Sequence, residues 1–127
     1  MSGAVTVLAV DDQEVFRRTA RRLLAATPDF QLVGEAASGA EALRLVAELH
    51  PDLVLLDIRM PGIDGIETAR RLARTRQPPA VVLISIGEVP ELLTEPLSAI
   101  GAVAHLRKQD LSARTLRRTW AEHGVAS

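Results

Sequence analysis

The fold turns on the stretch LVLLDIRMPGIDG, residues 53–65. Four consecutive apolar residues, Leu53 to Leu56, run straight into the carboxylate of Asp57, and a loop with Pro61, Gly62 and Gly65 follows. An apolar run of that length fits a strand covered on both faces, as in a parallel sheet. A charge at its end is costly unless it is paired, bound to a metal or held at the sheet edge facing water. The surrounding sequence has to supply one of these.

Working outward, Val5 to Val10 reads as a first strand ending at Asp11 and Asp12, and Phe30 to Ala36 as a second. Gly34 and Glu35 interrupt the second strand, as an edge strand tolerates. Val81 to Ile86 gives a fourth strand and Val103 to Leu106 a fifth. Between them lie helical patterns: Phe16, Ala20, Leu23 and Leu24 in the first helix, and Ala42, Leu45, Val46 and Leu49 in the second. The third helix turns Ile66, Ala69, Leu72 and Ala73 inward, and the fifth carries Leu116 and Trp120. Ser38, Asp64 and Ser112 read as helix caps, with Glu41 at capping-box spacing from Ser38. A fourth helix is expected over Pro90 to Ile100, but Pro96 lacks the N–H that an interior position needs, so this helix should be short, late-starting or broken. Five strands alternating with five helices predict an α/β, doubly wound parallel sheet.

Composition is consistent with this. The chain has 127 residues, 47% hydrophobic, which suits one domain with a real core. Cysteine is absent, which excludes a disulfide framework and thiolate chemistry. No apolar run approaches a membrane span and no signal-peptide pattern opens the chain, so a cytoplasmic protein without membrane contact is expected. A net charge of −1 argues against a nucleic-acid surface on this domain. Among the 15 Lys plus Arg, Lys108 is the only lysine. A lone lysine in an arginine-rich chain is a candidate for a task that needs a compact point charge on a flexible stem.

In a parallel doubly wound sheet the strand C-termini share one edge, where ligands bind. Asp11, Asp12, Asp57, Ser85 and Lys108 all fall there. Carboxylates so placed raise one another's pKa values unless a cation sits among them, and all-oxygen ligation favours Mg²⁺. A metal-bound aspartate with an ammonium and a hydroxyl nearby suits phosphoryl transfer to that aspartate.

Asp11-Asp12, Asp57 within LVLLDIRMPGIDG, Ser85, and Gly101-Ala102 with Lys108 resemble the receiver domain of two-component response regulators. The resemblance covers essentially residues 1–127 as one receiver domain, and implies a flavodoxin-like (βα)5 fold with strand order 2-1-3-4-5. It implies that Asp57 accepts phosphate from a phosphohistidine on a sensor histidine kinase, with Mg²⁺ as cofactor. Asp11, Asp12, Asp57 and the main-chain carbonyl of Arg59 would bind the metal, Lys108 would pair with phosphoryl oxygens, and Ser85 would supply the hydroxyl. The segments Ser38 to Leu43 and Lys108 to Ser112 resemble regulators with a C-terminal LuxR-type helix-turn-helix. On that resemblance the output is transcription regulation, DNA is met only through an output domain outside these residues, and phosphorylation brings homodimerisation as an option.

Three positions depart from the family pattern. Ile86 stands where a small residue is common after Ser85, and would gate access to Asp57 unless it points into the core beneath the fourth helix. His105 stands where an aromatic residue usually swings inward on phosphorylation, and Gln109 stands where proline often follows the lysine. A degenerate receiver that binds a partner without phosphorylation is therefore the second reading. An aspartyl-phosphate phosphatase ranks below it, because Arg59 occupies the place of the acid–base carboxylate that such an enzyme needs; a non-enzymatic signalling module is expected. Arg17, Arg18, Arg21 and Arg22 read as a solvated stripe more than a kinase-docking face. Asp29 and Asp52 read as turn residues, Pro61 and Gly65 as loop shapers, and His50 and His123 as helix-end residues.

Overall fold

Five strands form one parallel sheet: β1 (Val5–Val10), β2 (Phe30–Ala36), β3 (Leu53–Asp57), β4 (Ala80–Ser85) and β5 (Ala104–Arg107). Their spatial order is β2-β1-β3-β4-β5, the flavodoxin-like order. These positions come from a computed structural model of the chain that describes residues 3–86 and 93–124, the last two by backbone alone. The helices are α1 (Glu14–Ala25), α2 (Gly39–Leu49), α3 (Gly65–Ala73), α4 (Leu97–Ile100) and α5 (Ala113–Thr119), and α5 runs on into a wider π-helical turn, Trp120–Gly124.

The apolar strands have a direct cause. Side chains alternate across a strand, and here both faces are covered. Val7, Ala9, Leu53, Leu55, Val82 and Ile84 pack with Phe16, Ala20 and Leu24 of α1 and Leu116 of α5. Leu8, Val10, Val54, Leu56, Val81 and Leu83 point the other way, onto Ala42 and Val46 of α2, Ile66, Ala69 and Leu72 of α3, and Ile100 of α4. Each fully buried Leu, Ile or Val contributes about 1.5–3 kcal/mol relative to exposure. The three central strands are therefore the deepest part of the molecule. β2 is an edge strand, and Val33 is an extra residue in it, because Val7 pairs with Leu32 while Leu8 pairs with Gly34.

The helix starts follow the polar signals. Ser38 Oγ accepts from the Glu41 N–H at 3.1 Å, and Asp64 Oδ1 from the Glu67 N–H at 2.8 Å. Glu41 returns its carboxylate to the Ala37 N–H instead of the Ser38 N–H. Ser112 and Thr115 form a reciprocal capping box. Pro96 precedes the single turn of α4, so this helix starts late, as its ring requires. Residues Pro90 to Leu92 of the expected helix, and the His123 side chain, lie outside the description.

Three expectations need correction: the end of β4, the inward face of α3 and the role of Gly65. β4 ends at Ser85, and Ile86 does not continue it into the core: the side chain is 73% exposed. On α2 the expected side holds: Leu45 is half-buried against the core, and Leu49, 40% exposed, reaches over edge strand β2, where a Cβ on Gly34 would lie 2.9 Å from its Cδ1. Ala73 is exposed in the last turn of α3, facing Gly101, whose positive φ of 92° closes α4. Gly65 does more than shape the loop. Its N–H donates to Ile58 O at 2.8 Å, and a Cβ there would lie 2.1 Å from Asp57 O and 2.7 Å from Ile58 Cα.

Backbone cannot yield as a side-chain tip can, so Gly65→Ala should destabilise the fold by roughly 3 kcal/mol. Urea unfolding measures this; a loss no larger than a few tenths of a kcal/mol would mean that α3 can move away from Asp57 freely.

Candidate functional site

Register builds the site. Val10 pairs with Leu56, so the next residues, Asp11 and Asp57, emerge side by side from adjacent strands. Asp57 pairs in turn with Ile84, and Ser85 with Arg107, which puts Ser85 and Lys108 one step beyond on the same edge. Asp12, Gln13, Asp57, Arg59, Ser85, Ile86 and Lys108 line one cleft of about 210 Å³.

One carboxylate oxygen from each of Asp11, Asp12 and Asp57 lies within 4.8 Å of the others. Asp11 is fully buried and Asp57 nearly so, while Asp12 is exposed. Asp11 Oδ1 accepts from the Gln13 N–H at 2.8 Å. This is not an α1 cap: Gln13 holds the cap position without a side-chain bond, and neither aspartate serves there. Asp11 Oδ2 lies 2.7 Å from Lys108 Nζ, yet the ammonium approaches off the line of a directed hydrogen bond. That oxygen is thus charge-balanced and still has no hydrogen-bond donor. An orphaned, buried carboxylate oxygen beside two further carboxylates fits a hard, oxygen-liganded cation.

Burial pushes the Asp57 carboxyl up to about 6, and the Asp11 charge adds to the rise. Lys108 and the Arg59 main-chain N–H pull it down, and Asp12 raises it slightly. Asp57 is therefore half-protonated near pH 6, and largely ionised by neutrality, until a cation joins the cluster.

Lys108 Nζ also lies 4.8 Å from the centroid of the Phe16 ring. The sequence marks Phe16 only as a core residue of α1, and no periodicity reveals that its face meets the lysine. Ser85 is buried, and its Oγ is 2.7 Å from His105 Nε2. Burial holds the His105 imidazole below its ordinary pKa. Ile86 stands exposed at the rim of the cleft, and Arg59 lines it.

Several of the other polar residues have structural partners elsewhere. Arg21 grips Glu35 with two bonds of 2.7 and 2.8 Å, and Arg17 donates to Asp11 O and to Glu14, so the α1 stripe is partly tied down in ion pairs. Asp29 receives a bidentate Arg117 at 2.8 Å, and Asp52 accepts from the N–H and hydroxyl of Thr6. His50 closes α2 in the left-handed region. No helix among the described residues is long and apolar enough to cross a membrane.

A protein-family model described as the response regulator receiver domain matches residues 7–119. The transcriptional regulatory protein LiaR of Bacillus subtilis is 34% identical over 109 residues, covering 86% of this chain and 51% of LiaR. The response regulator GacA of Pseudomonas viridiflava is 40% identical over 104 residues, covering 82% of this chain and 48% of GacA. The chain thus spans about half the length of these relatives. Among solved structures, the signal receiver domain of the putative response regulator NarL from Mycobacterium tuberculosis superposes with a TM-score of 0.83 at 33% identity, covering 95% of this chain and 96% of that one.

Proposed function

The chain belongs to the response regulator receiver domain family, and from that premise we propose that Asp57 accepts a phosphoryl group from the phosphohistidine of a sensor histidine kinase. The observation that supports this is the convergence of Asp57 with Asp11, Asp12, Ser85 and Lys108 on one cleft. An Asp57 oxygen attacks phosphorus, the N–P bond of the donor breaks, and the electron pair returns to its imidazole nitrogen. Mg²⁺, held by Asp11, Asp12, Asp57 and the Arg59 carbonyl, would neutralise charge on the acceptor and the phosphoryl oxygens.

The other residues act on the phosphoryl group directly. Lys108, parked on Asp11, reaches a second anion close by and forms a charge-assisted contact with a phosphoryl oxygen. Ser85 donates its hydroxyl to another oxygen. Together these contacts exist only in the phosphorylated state, which is what a two-state switch requires. We read the chain as a signalling module of the cytoplasm whose output, DNA-binding transcription regulation, resides in a LuxR-type domain outside residues 1–127, with dimerisation as a route to that output.

With acetyl phosphate and Mg²⁺ the protein should gain one phosphate, on Asp57 alone. Intact mass and acid lability measure it; labelling that survives Asp57→Asn, or that proceeds efficiently in EDTA, would contradict the assignment.

Ile86, exposed beside the cleft, is proposed as a steric gate on in-line approach to phosphorus. Ile86→Ala should speed both phosphorylation by acetyl phosphate and loss of the phosphate several-fold, with stability changed by no more than about 0.5 kcal/mol. Unchanged decay of the phosphoaspartate would remove the gate.

A further inference from the structure

Ser85 ends β4 among the residues that line the cleft, and its Oγ lies 2.7 Å from His105 Nε2 on β5. A serine hydroxyl has one proton to donate and lone pairs to accept, whereas a neutral imidazole donates from one nitrogen and accepts at the other. Two arrangements therefore satisfy the same short contact. In one, Ser85 O–H donates to Nε2, the ring carries its proton on Nδ1, and the serine has no donor left for an anion. In the other, Nε2–H donates to Ser85 Oγ, and the hydroxyl proton is free to point into the cleft.

From this geometry we infer that His105 is a positioning residue for the phosphoryl group, acting through Ser85: an anion on Asp57 selects the Nε2–H tautomer, which donates to Ser85 while Ser85 donates to the anion. This deepens, and rests on, the phospho-acceptor reading of Asp57. The proton count closes without any change of charge: Nε2 gains one proton, Nδ1 gives one up, and the serine keeps its own. In this arrangement Ser85 keeps its bond to His105 while its own proton is donated to the phosphoryl oxygen. A donor chain of this kind strengthens its terminal bond, since each hydrogen bond polarises the next. Burial favours the neutral imidazole that a tautomer exchange requires. The side chain of His105 thus replaces bulk filling by a directional bond, which no purely apolar ring at this position could make.

Beryllofluoride with Mg²⁺ serves as the phosphoryl probe on the whole chain. Nitrogen-15 spectra of the imidazoles, with His105 identified through His105→Phe, should show the proton on Nε2 when the probe is bound. His105→Phe, which keeps a ring but has no donor, should bind the probe about fivefold more weakly, the scale of one net hydrogen bond. In the Ser85→Ala background the same change should have no further effect, which separates the relay from a packing role. An Nδ1–H tautomer in the bound native chain would overturn the inference. So would unchanged or tighter binding by His105→Phe, which would make the imidazole a competitor for the hydroxyl. If the native chain does not bind the probe at all, the phospho-acceptor reading fails and this inference fails with it.

Discussion

Asp11 and Asp57 leave adjacent, in-register strands side by side, and their mutual repulsion is the constraint to which the rest of the site responds. Neither can retreat. The strands that carry them are closed on both faces by helices, and Gly65 seals the loop against the Asp57 backbone. Lys108 answers part of the charge at 2.7 Å from Asp11, and the Phe16 ring lies beneath its ammonium. What remains is an excess of negative charge, which the divalent cation proposed for the site would offset. The site stores its readiness as unpaired charge.

This charge arrangement depends on burial. In water two carboxylates a few ångströms apart repel weakly, and a solvated lysine pair is worth under about 1 kcal/mol. At the buried C-terminal ends of β1 and β3 the same charges act in a poorer dielectric. That is why the Asp57 carboxyl is raised mainly by burial, with Asp11 second. The core thus sets the electrostatics, and the electrostatics set the chemistry.

The sheet was legible because central strands covered on both faces must be apolar throughout, and because Asp11, Asp57, Ser85 and Lys108 each stand where such a run stops. The single lysine added a signal that composition alone carried. Ser85 with His105, Lys108 with Phe16, and Arg117 with Asp29 were not legible as pairs. Their partners lie far apart along the chain, on different elements, and no periodicity records who meets whom. Ile86 was misread as the end of β4 for a related reason: an apolar residue after an apolar strand looks continuous until the turn lifts it into solvent. Gly65 was undervalued because close backbone approach leaves no trace except the glycine itself.

The most direct measurement of the charge imbalance is the number of protons released when Mg²⁺ binds, obtained by titration calorimetry in buffers of different ionisation enthalpy. The sign follows from Asp57. Its carboxyl, raised to about 6 without metal, must be deprotonated to serve as a ligand. Near pH 6 about half a proton should leave per Mg²⁺ bound, falling towards zero by about pH 8, where Asp57 is already ionised. In Asp57→Asn the release should be absent at both pH values. Proton release that does not change between these pH values, or that persists in Asp57→Asn, would contradict a site organised around the shared charge of Asp11 and Asp57.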